Sequence, residues 1–156
     1  MAMIRIAPDL REFLKSLNSR GVRWLLVGSW AVGFHGHVRS TNDLDVWVDP
    51  EPENSARAAK ALEDFAFGEG TLDPAMFTSG RGIVRFGRVP HMVEMLNALS
   101  GVEFAPCWER RIVVVDDDLE VPLIALDDLL ANKRASGRLK DLADVEELEK
   151  RRKLRP

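Results

Sequence analysis

Residues Trp24–Val48 read WLLVGSWAVGFHGHVRSTNDLDVWV, and this stretch decides the fold. The run Val22–Val27, rich in Val, Leu and Trp, is short enough for a buried strand, and Gly28 ends it. Trp30–His35 is too short and too rich in small residues for a second buried strand, so it predicts a two-turn helix with Ser29 at its N-cap. A polar loop from His37 to Asn42 leads into a strand over Asp43–Val48, which Asp49-Pro50 closes because proline cannot continue a central ladder. Strands alternate faces with period two, so Asp43 and Asp45 share one side while Leu44, Val46 and Val48 fill the other.

Upstream, Leu10, Phe13, Leu14 and Leu17 fall at helical spacing, predicting a helix from Asp9 to Arg20 stopped by Gly21. Downstream, Ala56, Ala59, Leu62 and Phe65 give a helix face over Glu51–Phe67, followed by an irregular connection at Gly68, Gly70 and Asp73-Pro74. Ile83–Phe86 and Met92–Leu96 are expected strands around a turn at 87–90, the second carrying Glu94 between apolar neighbours. Phe104–Arg110 reads as a helical turn with Trp108. Arg111–Val115 and Glu120–Ile124 read as a hairpin around Asp116–Asp118, with Pro122 suggesting that its second arm lies on an edge. Helices are expected over Asp127–Ser136, stopped by Gly137, and over Lys140–Glu149 with Leu142, Val145 and Leu148 inward. No internal repeat or interdomain linker interrupts the 156 residues, so one domain spanning 1–156 is expected.

A hydrophobic share of 46% and a charged share of 30% are ordinary for a soluble globular chain. The net charge of −3 excludes a globally basic nucleic-acid binder and leaves room for a local basic patch. The charge is segregated, with acids crowded into 43–54 and 116–128, and bases at Lys133, Arg134, Arg138 and Lys140 before the next acid. The single Cys107 can form no internal disulfide and has no zinc-site spacing around it. Neither a signal-peptide core nor an apolar run of about 20 residues is present, so the reading is cytoplasmic, with no membrane partner.

Two carboxylates about 4 Å apart repel by about 4 kcal/mol at an effective dielectric near 20, a cost that a bound divalent cation removes. Magnesium suits all-oxygen ligands and leaves open positions for substrate phosphates. An amphipathic strand with a solvated acidic face would show the same Asp-x-Asp, so the context must decide between the two readings. Gly28-Ser29, between strand and helix, offers a glycine that lets backbone approach a phosphate, free N–H groups and a hydroxyl donor. A plain capped turn is the alternative. Glu94, costly inside an apolar strand unless paired or ligating, would complete a three-carboxylate cage if its strand lies beside that of Asp43. It would also accept the proton of an attacking hydroxyl. Arg39 and Thr41, just before the acidic strand, can reach phosphate or brace the aspartates. His35 and His37 read as packed or helix-capping residues rather than zinc ligands, Trp30 and Trp47 as core, and the basic C-terminal run as a solvated tail.

The order Gly-Ser, Asp-x-Asp at a strand start and one acid on a later strand resembles the nucleotidyltransferase superfamily, whose fold is shared with DNA polymerase beta. The string VGSWAVGFHGHVRSTNDLDVWV, with LDDLLANKRASGRLKDLADVEEL near the C-terminus, is similar to small bacterial nucleotidyltransferase-like proteins related to the toxins of abortive-infection toxin–antitoxin pairs. The resemblance covers residues 20–150, and implies an α/β (α+β) fold with a mixed sheet flanked by helices. It further implies that Gly28, Ser29, Arg39, Thr41 and Lys133 hold the nucleotide, such as ATP. Asp43, Asp45 and Glu94 would bind two Mg2+ ions and carry the catalysis, with Arg134, Arg138 and Lys140 as possible contacts to acceptor or phosphate. This chain has Gly28-Ser29 and Glu94 where small members often have Gly-Gly and aspartate. The implied activity is NMP transfer from a nucleoside triphosphate to a hydroxyl of a tRNA, a protein or a small molecule, with a cognate partner protein possible. A catalytically silent nucleotide- or partner-binding module, or a structural subunit of a toxin–antitoxin pair, would keep the same fold.

Overall fold

A computed structural model describes residues 6–41, 43–65, 82–88 and 91–154. Its centre is β1 (Trp24–Val27), whose four residues are all buried. α1 (Pro8–Ser19) precedes it, stopped by Gly21 at φ +67°, in the left-handed region where a side chain is disfavoured. α2 (Gly28–Phe34) follows β1 without a break and leads through the loop to β2 (Asp43–Val48) and α3 (Pro52–Phe65). Then come β3 (Ile83–Arg88), β4 (His91–Leu96), α4 (Phe104–Glu109), β5 (Ile112–Asp116), β6 (Leu119–Leu123), α5 (Leu126–Ser136) and α6 (Leu139–Leu154). The connection expected at Gly68, Gly70 and Asp73-Pro74, and the tip of the 87–90 turn, lie outside the described residues.

The strands form one mixed sheet in the order β3-β4-β2-β1-β6-β5. β2 runs antiparallel to β1 and parallel to β4, and the register sets Asp45 beside both Val27 and Glu94. The expected α+β arrangement of a mixed sheet with flanking helices is the one observed. On one face, Leu44, Val46, Val48, Val93 and Met95 are buried, and Phe13 of α1 meets Phe86 edge-on at 5.0 Å. On the face that carries Asp43 and Asp45, the next residue is Trp47, buried edge-on against Phe104 of α4 at 5.1 Å. The acidic end of β2 therefore opens to a cleft while its other end is sealed by aromatic packing. Trp30 packs against the core as well, so neither tryptophan is a solvent-facing stacking platform.

Four expectations need correction. Ser29 is not the N-cap of α2: the helix begins at Gly28 after Val27, with no side-chain cap. β6, which carries Pro122, is interior and β5 is the edge. The β6 ladder to β1 is made at Leu26↔Leu123 and by the Ile124 N–H to the Leu26 carbonyl, so the missing N–H of Pro122 falls just before it. Leu142 points outward at 43% exposure, and α6 instead buries Asp141, Asp144, Val145 and Leu148. The basic run past Leu148 is the exposed last turns of α6 as far as Leu154, where cations complement the helix dipole.

Candidate functional site: an acidic pair facing a glycine turn and a buried ion network

A cleft of about 700 Å³ opens at the ends of β1, β2 and β4. Gly28, Ser29, Arg39, Thr41, Asp43, Asp45, Glu94, Lys133, Arg138 and Lys140 all line it, drawn from segments more than 100 residues apart. Arg134 does not line it; it pairs with Glu149 at 3.0 Å on the outside of α5 and α6.

Closest to the sheet is the contact between the glycine turn and Asp45. A Cβ on Gly28 would stand 2.0 Å from Asp45 Oδ2, and Gly28 has φ +69°, so both space and backbone require glycine. Asp45 Oδ1 is buried without a hydrogen-bond partner. Burial, a hydrogen bond with Glu94 and the charges of Glu94 and Asp43 push the Asp45 carboxyl up from 3.8 to about 8. Asp45 and Glu94 therefore share a proton near neutral pH. Burial also works to raise Glu94, but the proton on Asp45 and the Arg85 guanidinium outweigh it and hold Glu94 below its ordinary value. Arg85, opposite Glu94 in the β3–β4 ladder, donates from Nε to Glu94 Oε1 at 2.5 Å. Thr41 braces the start of β2: its hydroxyl donates to the Asp43 carbonyl at 3.1 Å and accepts from the Asp43 N–H at 3.3 Å.

Across the cleft stands an ion network centred on two acids of α6. Lys133 Nζ lies 2.8 Å from Asp141 and 3.0 Å from Asp144, all three side chains being 5% exposed or less. Arg39 grips Asp144 with two bonds of 2.8 Å, from Nε and Nη2, and Nη2 also donates to Ser29 Oγ at 2.9 Å. Arg138 Nε donates to Asp141 at 2.8 Å, and the Ser136 hydroxyl donates to the same oxygen. Burial alone would raise Asp141, but the bonds from Lys133, Ser136 and Arg138 bring it down to about 2. Asp144 is likewise lowered: burial opposes the shift, and Arg39 and Lys133 overcome it.

A divalent cation can be tested against these residues. Asp43 and Asp45 on one strand face, with one Asp45 oxygen enclosed and unpartnered, match the oxygen donors that magnesium takes. Among the described residues, however, no three acidic, His or Cys side chains form a group ready to hold a metal. The third carboxylate of the expected cage, Glu94, is engaged by Arg85. His35 caps the C-terminus of α2 and sits 2.8 Å from the Ile124 carbonyl through Nε2, as expected for a packed residue.

Asp141, Asp144 and Arg85 are site residues that sequence reasoning missed. The signal for the two aspartates was available: 141, 144, 145 and 148 form an i, i+3, i+4, i+7 stripe, the spacing of a buried helix face. Two of its four positions are acids, and a buried acid needs a cation, which Lys133 and Arg39 supply.

The sheet order and cleft give the chain the architecture of a nucleotidyltransferase. A solved structure of a provisionally assigned nucleotidyltransferase from Thermotoga maritima is similar over 97% of both chains, with a TM-score of 0.61 and 17% identity, a likeness of fold. The chain belongs to the family described as a nucleotidyltransferase of unknown function (DUF6036), whose model matches residues 2–152. No curated protein matches it in sequence.

Proposed function

We propose that the protein transfers a nucleoside monophosphate from a nucleoside triphosphate to a hydroxyl acceptor, in a magnesium-dependent reaction. The observation that carries this reading is the close approach of Gly28 to Asp45, which sets the glycine turn directly against the carboxylates of the acidic strand. Backbone N–H groups of the turn and the Ser29 hydroxyl would bind phosphate oxygens, and Lys133, which lines the cleft, would offer its third Nζ proton to the same anion. Asp43 and Asp45 would hold magnesium, joined by Glu94 on its release from Arg85. The ions, when bound, would stabilise charge on the attacking and leaving oxygens.

The acceptor oxygen forms a bond to the α-phosphorus while the bond from that phosphorus to the bridging oxygen breaks, and pyrophosphate leaves. The acceptor proton passes to a Glu94 carboxylate oxygen. Arg138 and Lys140, at the cleft mouth, would meet the acceptor's backbone or phosphates, which suits a tRNA; a protein or small-molecule hydroxyl is the alternative. A role as the toxin of a toxin–antitoxin pair, with a cognate partner protein, and a cytoplasmic setting belong to the same reading. No helix among the described residues is long and apolar enough to cross a membrane.

A second reading is a nucleotide-binding or partner-binding module without catalysis. It is favoured by one observation, the engagement of Glu94 by Arg85. Incubation with magnesium and each labelled triphosphate, alone and with total RNA, separates the two. Pyrophosphate release with label transfer supports the enzyme. Calorimetric nucleotide binding with neither supports the module, and the absence of any metal-dependent thermal shift with nucleotide leaves a structural subunit.

A further inference from the structure

Resting on the reading of the cleft as a triphosphate site, we propose that Asp144 is a positioning residue that acts through Arg39 to aim the Ser29 hydroxyl into the cleft. The route is continuous from α6 to the glycine turn. Asp144 receives Nε and Nη2 of Arg39 at 2.8 Å each, a paired geometry that fixes the plane of the guanidinium. From that plane Nη2 donates to Ser29 Oγ at 2.9 Å. A serine hydroxyl has one proton and two lone pairs. With a lone pair taken by Arg39, its proton is left for an acceptor, and the lining of the cleft by Ser29 sets that acceptor in the cleft.

Direct capture of phosphate by Arg39 is the competing role, and burial decides against it. The Asp144 side chain is 3% exposed, so an arginine that left it would strand a buried carboxylate on Lys133 alone. The spare donors point the same way: Nη1 of Arg39 reaches the Ser40 carbonyl at 3.4 Å, outside the turn. Arg39 and Lys133 are matched in charge by Asp141 and Asp144, while Arg138, 65% exposed and bonded to Asp141, leaves the excess positive charge away from the Arg39–Ser29 contact. At Ser29 the cleft therefore meets an anion with an aimed donor, and its excess positive charge lies with Arg138 and Lys140.

The test titrates inorganic tripolyphosphate with magnesium into the wild type, Ser29→Ala, Asp144→Asn and the double variant, by calorimetry. Each single change is expected to weaken binding by roughly 10-fold, the range of a hydrogen bond to a charged group. The double variant is expected within about twofold of the weaker single one, because both remove the same aimed proton. Multiplying losses, near 100-fold, would show that Asp144 acts independently of Ser29 and overturn the proposal. A merely structural role for Asp144 gives that multiplying result, since loosening α6 lowers affinity equally with or without the hydroxyl. If Asp144→Asn does not fold, Arg39→Lys breaks the link from its exposed end. Lysine can pair with Asp144 but cannot also reach Ser29, so the same loss and the same non-additivity with Ser29→Ala are expected, and wild-type affinity would overturn the proposal. A wild-type chain that binds no tripolyphosphate overturns the reading of the cleft itself, a result seen before any variant is compared.

Discussion

Replacing Asp45 with asparagine should stabilise the metal-free protein at neutral pH and leave it unchanged in mild acid. With its carboxyl raised from 3.8 to about 8, Asp45 is mainly protonated in the folded chain at pH 7 and ionised in the unfolded one. The folded form then binds more protons than the unfolded form, so stability is greatest below the unfolded value and falls as pH rises toward 8. Over the interval from 3.8 to pH 7 the full shift is worth about 4 kcal/mol, at 1.36 kcal/mol for each pH unit. Glu94 is lowered by the same shared proton and offsets part of this, since the pair titrates together. A net gain of about 2 kcal/mol for Asp45→Asn at pH 7 remains, or about 4–8 °C in Tm for a chain of this size. Asparagine keeps a donor for Glu94, so the hydrogen bond survives the change. Urea unfolding at pH 4, 6 and 7.5 in chelator measures the difference. A destabilised variant at pH 7.5, or a gain as large at pH 4 as at pH 7.5, would refute a burial-protonated carboxyl and with it the idea that this strand face stores repulsion for a cation to relieve. With magnesium present the wild type should gain stability and the variant should not.

Three further outcomes are expected. Gly28→Ala should cost roughly 2–3 kcal/mol in urea unfolding, from the left-handed backbone together with the forced displacement of Asp45, and should abolish transfer activity. Arg85→Ala should change stability by less than about 1 kcal/mol, since the arginine side chain is 67% exposed, while magnesium affinity measured by calorimetry rises severalfold because Glu94 is released. Asp141 is held near 2, so its contribution is present above its unfolded value of 3.8 and is lost as pH falls through 2; an acid unfolding series should show about 2 kcal/mol of that limb missing in Asp141→Asn.

The half of the site that lies on the sheet was legible in the sequence because strand physics is rigid. Period-two alternation puts Asp43 and Asp45 on one face whatever surrounds them, and Glu94 joins them once β4 lies next to β2 in parallel register. The half that lies on the helices was legible only through the spacing of 141, 144, 145 and 148, a stripe that apolarity alone does not reveal. Leu142 looked like the inward residue because apolarity is the usual guide, yet a helix face can be buried by neutralised charge as well as by hydrocarbon. Lys133 was expected as a phosphate ligand; the acidic stripe of the next helix calls for a cation, but spacing does not say which one, and Lys133 is held there by two acids. Arg39 faces the same difficulty, since its partner Asp144 is 105 residues away. Pro122 misled for a different reason: proline excludes a ladder bond at its own position, not an interior strand whose ladder begins one residue later.

The two halves differ in how each meets a charged ligand. On the sheet side, Asp43, Asp45 and Glu94 outnumber Arg85, the one cation among the described residues that is hydrogen-bonded to them, and a proton on Asp45 reduces the excess. A divalent cation can take the place of that proton between Asp45 and Glu94, and the enclosed Asp45 Oδ1 has no hydrogen bond to give up. On the helix side, buried Lys133 and half-buried Arg39 are already held by the buried acids Asp141 and Asp144, and exchanging either cation for a ligand would leave a carboxylate stranded. Ligand-linked change should therefore fall on the sheet side, at Asp45, Glu94 and Arg85, while the helix side holds its geometry. Proton release on magnesium addition is the measurable consequence: in weakly buffered solution at pH 7 the wild type should release close to one proton for each chain, and Asp45→Asn none. Release of the same size from the variant would mean that the proton comes from elsewhere in the chain, and that the acidic strand is not where the cation enters.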